Sequence, residues 1–112
     1  MWEYKTIDEA IAYTQSNFDA VANLYPDKPV IITEAGWATN SNGRGIHPEK
    51  VNEAFQKRYY EELMQWSEKN KVLTFFFEAF DEKWKGSAHL LEPEKHWGLF
   101  YTDRNPKIAL AD

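Results

Sequence analysis

Three carboxylates stand at positions where chemistry could use them. Glu34 closes the run Val30-Ile31-Ile32-Thr33, while Glu78 and Glu82 follow the run Val72-Leu73-Thr74-Phe75-Phe76-Phe77. Acids held at neighbouring strand ends can divide the work of glycoside hydrolysis: one attacks the anomeric carbon and another protonates the leaving oxygen. Acidic residues at strand ends serve equally as solvated loop groups or salt-bridge partners, because position in a fold does not fix chemistry. His47, His89 and His96 show no metal-ligand spacing, and the chain has no cysteine, so no metal site or cofactor is expected.

The elements that must position these acids follow from periodicity. Thr6-Ile7-Asp8-Glu9 has the form of a capping box. Behind it, apolar residues recur at three- and four-residue spacing, predicting a helix over 7–24 that Pro26 stops. Residues 29–34 form a short β-branched run, and 72–80 a second strand, both apolar on alternate sides and so expected to be parallel and covered on each face. Between them, a helix over 48–69 is expected to start with Pro48 at its first position and stop near Asn70. Its apolar face carries Val51, Phe55, Tyr59, Leu63 and Trp66. Helices alternating with such strands predict an α/β fold with a parallel sheet. Ligand sites in such folds lie beyond the C-terminal strand ends, which would bring Glu34, Glu78 and Glu82 to one rim.

Composition narrows the function class. The 112 residues suffice for one domain. Net charge is −5 with no basic cluster, which argues against nucleic-acid binding and against attraction to anionic membranes. No apolar run is long enough to span a bilayer. The Met1–Lys5 stretch is polar and aromatic, unlike a signal peptide, and localisation is not legible. Aromatic residues reach 16%, five of them Trp, which suits sugar stacking as well as core packing.

The strings themselves are more specific than residue type. Ile32-Thr33-Glu34-Ala35-Gly36-Trp37 resembles the nucleophile signature of glycoside hydrolase family 17, the β-1,3-glucanase and glucan-remodelling family. Phe77-Glu78-Ala79-Phe80-Asp81-Glu82-Lys83-Trp84-Lys85 resembles the motif at the end of that family's eighth barrel strand, and Glu94-Lys95-His96-Trp97-Gly98-Leu99-Phe100 its closing motif. Ala38 departs from the pattern, where Pro is common. The resemblance implies Glu34 as nucleophile of a retaining mechanism and Trp37 as part of a sugar-binding floor. It matches Glu82 and Lys85 to a Glu-x-x-Lys pair and Glu94 to a late acidic position. Phe80, Trp84 and Trp97 become stacking or packing aromatics, and Glu78 a further substrate-side residue of less defined role.

The same resemblance implies a gap. The family's general acid/base, a Glu preceded by Asn, belongs to the fourth strand. The only Asn-Glu pair here, Asn52-Glu53, falls in the second predicted helix, on its polar face. A (β/α)8 barrel takes about 250 residues, so the sequence matches the C-terminal fragment of a TIM barrel: about two parallel βα units plus a preceding helix. Two functions are therefore expected in competition: a β-1,3-glucan hydrolase deficient in its acid, or a non-catalytic module derived from the barrel that binds β-glucan oligosaccharide or a protein partner, a second copy of itself included. Open strand edges further predict a homo-oligomer, most simply a twofold dimer.

Overall fold

The computed structural model describes residues 3–111; the terminal residues of the expected 1–112 span lie outside the described residues. Helix α1 spans Ile7–Leu24. Its capping box is formed: the Thr6 N–H donates to Glu9 Oε2 at 2.9 Å, and the Thr6 hydroxyl lies 3.1 Å from the same oxygen. Those bonds hold the Glu9 carboxyl below its ordinary range. Strand β1 is Ile32–Ala35 and strand β2 is Thr74–Phe76, shorter than the expected 29–34 and 72–80. They pair in parallel, with Ile32 opposite Thr74 and Ala35 opposite Phe76 across one irregularity.

The second helix, α2, begins later than expected, at Glu53, and runs to Asn70. Pro48 starts a separate 3-10 turn, Pro48–Lys50. Asn52 is the N-cap, accepting the Phe55 N–H at 2.7 Å, and Lys71 ends the helix in the left-handed conformation. Asn70 is its last residue and turns its side-chain amide back onto Trp66 O at 2.8 Å. Glu53 is thus the first residue of α2 rather than a residue within it. It accepts the Ile108 N–H at 3.0 Å and the Tyr101 hydroxyl, fastening the C-terminal tail.

The core lies between the helices and one face of the strands. Tyr59 and Leu63 of α2 and Ala10 of α1 are fully buried, together with Trp37 and Ile46. Thr14 and Tyr59 share a 2.8 Å hydroxyl contact across the helix pair, and Phe18 meets Trp66 edge-on. The other face of the sheet is bare, contrary to the expectation of cover on both sides. The register sets Ile31 and Thr33 beside Leu73 and Phe75, and Ile31, Leu73 and Phe75 are 47%, 58% and 53% exposed. Strand alternation sends these side chains away from the helices, where no element among the described residues covers them.

Beyond β2 the backbone continues alongside the 97–100 segment. Glu78 N donates to Trp97 O and Phe100 N to Ala79 O, and Phe80 bridges to Phe100. Two glycines make this approach possible. A Cβ on Gly36 would stand 1.7 Å from Phe77 O, and one on Gly98 2.1 Å from Asp81 N.

Candidate active-site groove

Glu34 sits one residue before the end of β1 with its side chain exposed. It lines a groove of about 510 Å³ whose walls include Phe77, Trp97 and Glu94 at one end and α1 residues Tyr13 and Phe18 along one side. Phe77 and Trp97 meet edge-on, with centroids 5.9 Å apart. Three of the residues singled out by the sequence, Glu34, Glu94 and Trp97, are thereby brought to one groove.

Behind Phe77 lies a charged cluster. Lys85 Nζ is 2.8 and 3.1 Å from the two Glu78 carboxylate oxygens and 3.0 Å from Glu82 Oε2. It also rests 4.7 Å from the centre of the Phe77 ring. Burial works against the Lys85 ammonium, yet its bonds to Glu78 and Glu82 outweigh it and hold the group above its ordinary range. One ammonium shared by two carboxylates leaves a net negative cluster. Burial raises the Glu78 carboxyl above its usual range, and Lys85 offsets that only in part. Both Glu78 oxygens are committed to Lys85, so its partner here is a side chain.

The remaining aromatics are dispersed. Trp37 is fully buried: its indole packs 5.7 Å from Tyr59 and its N–H donates to Lys50 O at 3.1 Å. That corrects the expectation of a sugar-binding floor, since a ring closed in by the core offers no face to a ligand. Phe80 lines a separate hollow with Trp84, Glu82 and Arg104, and the Arg104 guanidinium covers its ring at 3.8 Å. Of Trp37, Trp84 and Trp97, Trp84 alone is exposed, at 76%.

Two residues outside every quoted motif, Lys107 and Gln56, hold the rim together with Asp81. Lys107 is fully buried, and its Nζ donates at 2.8 Å to both Thr39 Oγ1 and Asp81 Oδ1. Asp81 Oδ1 also accepts the Gly98 N–H at 2.8 Å. Burial pulls the Lys107 ammonium below its ordinary range, and Asp81 opposes the shift. Gln56 reaches up from α2 to Trp37 O at 3.1 Å and Gly98 O at 2.9 Å. Its position three residues before Tyr59 and seven before Leu63, on the apolar face, was the available signal. Lys107 carries no comparable mark.

A family model described as the BtgE/BtgC glycoside hydrolase domain matches residues 1–98. The chain belongs to that family. A glucan 1,3-beta-glucosidase of Arthroderma benhamiae is 31% identical over 96% of this chain and 38% of its own length. The glycoside hydrolase family 17 β-1,3-glucanosyltransferase of Rhizomucor miehei superposes with TM-score 0.82 at 28% identity, covering 98% of this chain and 39% of that one. An active-site mutant of the Rhizomucor enzyme, TM-score 0.83, is in complex with laminaritriose. An endo-laminarinase from Formosa gives TM-score 0.86 at 33% identity, over 93% of this chain and 28% of that one. This BtgE/BtgC-type protein thus spans less than two-fifths of the length of these relatives, and its two parallel strands and two helices match part of a glycoside hydrolase barrel.

Proposed function

We propose that residues 1–112 form one partial-barrel domain acting on β-1,3-glucan, with Glu34 as the nucleophile of a retaining mechanism. The observation that carries this reading is the placement of Glu34, open to solvent near the end of a parallel strand and facing a groove walled by Phe77, Trp97 and Glu94. The relatives support the substrate class: those compared above are named for β-1,3-glucan chemistry. So does the charge, because Glu34, Glu94 and the net negative Glu78–Lys85–Glu82 cluster suit a neutral sugar better than an acidic one. In this scheme Glu94 meets the sugar directly, and Trp97, only 3% exposed, backs the groove by packing against Phe77. Glu78, Glu82 and Lys85 set the charge of the wall, and Phe80 acts through the neighbouring hollow.

In a retaining mechanism the Glu34 carboxylate attacks the anomeric carbon while a second carboxylic acid protonates the departing oxygen. The resemblance places that acid on an earlier strand. Without the acid, turnover loses on the order of 10²–10⁴-fold. Binding therefore outlasts catalysis in this protein, at an affinity no better than about millimolar, or about −4 kcal/mol.

The test is titration of the protein with laminari-oligosaccharides, followed by tryptophan fluorescence, beside a reducing-sugar assay on laminarin. Saturable binding with slow or no cleavage is expected. A flat titration rejects the binding reading, and efficient cleavage rejects the deficiency.

The bare sheet face favours a second property, self-association. Ile31, Leu73 and Phe75 form an exposed apolar patch of a kind monomers seldom leave open, and a second copy of the protein would cover it.

A further inference from the structure

The loop from Ala38 to Ile46 carries Asn42 followed by Gly43. Of the seven asparagines in the sequence, this one alone precedes glycine; the other six precede residues with side chains. Asn42 is exposed, Gly43 adopts φ = 102°, and a Cβ built on Gly43 would meet no atom within 4 Å. The glycine is therefore not crowded on its Cβ side. The Arg44 N–H donates to Asn42 Oδ1 at 3.2 Å, drawing electron density away from Cγ. One contact opposes reaction: the Gly43 N–H donates to Ser41 Oγ at 2.9 Å, and the buried Ser41 hydroxyl in turn donates to Ile46 O at 2.6 Å.

We propose that Asn42 is a site of spontaneous covalent modification, closing onto the Gly43 amide, and that the Ser41 hydroxyl sets its rate by holding that amide. A solvent base removes the Gly43 amide proton once the bond to Ser41 opens. The nitrogen's electron pair forms a bond to Asn42 Cγ, and the Cγ–Nδ2 bond of Asn42 breaks. Ammonia leaves, taking up a proton from solvent, and a five-membered imide remains. Water then adds to either imide carbonyl and opens the ring, leaving aspartate or isoaspartate at position 42. One water is consumed and one ammonia released, with no change in oxidation state.

The consequence reaches the rim. Arg44 Nη1 binds Glu92 Oε1 at 2.7 Å, and the Glu92 side chain is 2% exposed. Burial works against the Glu92 charge, but hydrogen bonds from Arg44 and Ser87 hold its carboxyl below the ordinary range. This pair ties the loop after β1 to the segment between Lys85 and Glu94. A new carboxylate two residues from Arg44 competes for its guanidinium. The isoaspartate form also lengthens the backbone by one methylene and displaces the bond to the Arg44 N–H. Modification therefore loosens the tie between the loop after β1 and the segment that leads to Glu94, which lines the groove.

The experiment is incubation of the 112-residue protein in mildly alkaline buffer, with intact mass and peptide mapping that separates aspartate from isoaspartate. A one-dalton gain is expected first at Asn42, slowed about tenfold or more in Gly43→Ala, whose methyl group crowds the nitrogen. Ser41→Ala should modify several-fold faster than wild type. As a control independent of that variant's folding, wild-type protein unfolded in urea should also modify faster than the folded form, since Ser41 no longer holds the amide. Modification beginning at another asparagine overturns the site. Equal rates in folded and unfolded wild type, or a Ser41→Ala variant no faster than wild type, overturn the control by Ser41.

Discussion

Glu78 sits where burial and charge pairing pull against each other. Its carboxyl is raised by burial because Lys85 must also serve Glu82. A raised acid favours the protonated form in the folded state. Its contribution to stability is complete below the ordinary carboxylate range and is lost as pH rises through the raised value. Glu78→Gln removes that loss. Paired denaturant melts at about pH 4 and about pH 7 should show the variant gaining on wild type as pH rises; a constant gap refutes this. Glu34 is the opposite case, an exposed acid. Glu34→Gln is expected to leave stability within about 0.5 kcal/mol while abolishing whatever laminarin cleavage the protein performs. Unchanged cleavage would place the chemistry on another residue.

At the scale of elements, the tail and the two strand-end loops are joined through buried charge. Lys107 comes from the tail, Asp81 follows β2, and Thr39 follows β1. Lys107→Met leaves the Asp81 carboxylate, 8% exposed, without its ammonium. Removing one partner of a buried pair costs about 3–5 kcal/mol, so a large fall in the denaturant midpoint is expected. Adding Asp81→Asn to Lys107→Met should recover part of that fall, because no unpaired charge then remains. A double variant as unstable as the single one would show that the tail is held by packing alone. The strand junction depends on a different constraint. With a Cβ 1.7 Å from Phe77 O, Gly36→Ala must push β1 and the end of β2 apart, and loss of cooperative unfolding is the expected outcome by circular dichroism.

The whole molecule is more open than a closed domain of its length. Its radius of gyration is 14.4 Å, where about 13 Å is usual for a compact domain of this size. The excess reflects a sheet covered on one face and a groove where β1 has a free edge. Burying the patch of Ile31, Leu73 and Phe75 against a second copy would remove apolar surface from water, the main driving force for association. Light scattering is expected to show a concentration-dependent oligomer. Phe75→Lys should shift it toward monomer without unfolding the protein, since Phe75 is 53% exposed. A wild-type monomer at high concentration would refute self-association.

The sequence alone determined what depends on near neighbours. The capping box at Thr6 and the stop at Pro26 bounded α1. The spacing of Tyr59 and Leu63 marked the buried face of α2, and the Thr33-Glu34-Ala35-Gly36-Trp37 string put an acid near a strand end. Capping, periodicity and glycine geometry act over a few residues, so they are legible in a string. The tertiary structure decided what depends on residues far apart in sequence. It turned Trp37 into the core beneath Tyr59 and committed Glu78 to Lys85. It also carried Lys107 to Thr39, 68 positions away, and gathered Glu34, Glu94 and Trp97 on one groove. The bare face of the strands belongs to the same class. Apolar residues on both sides of a strand show that both sides can be buried, but cover comes only from a neighbour. Here the helices cover one side, and no described element covers the other.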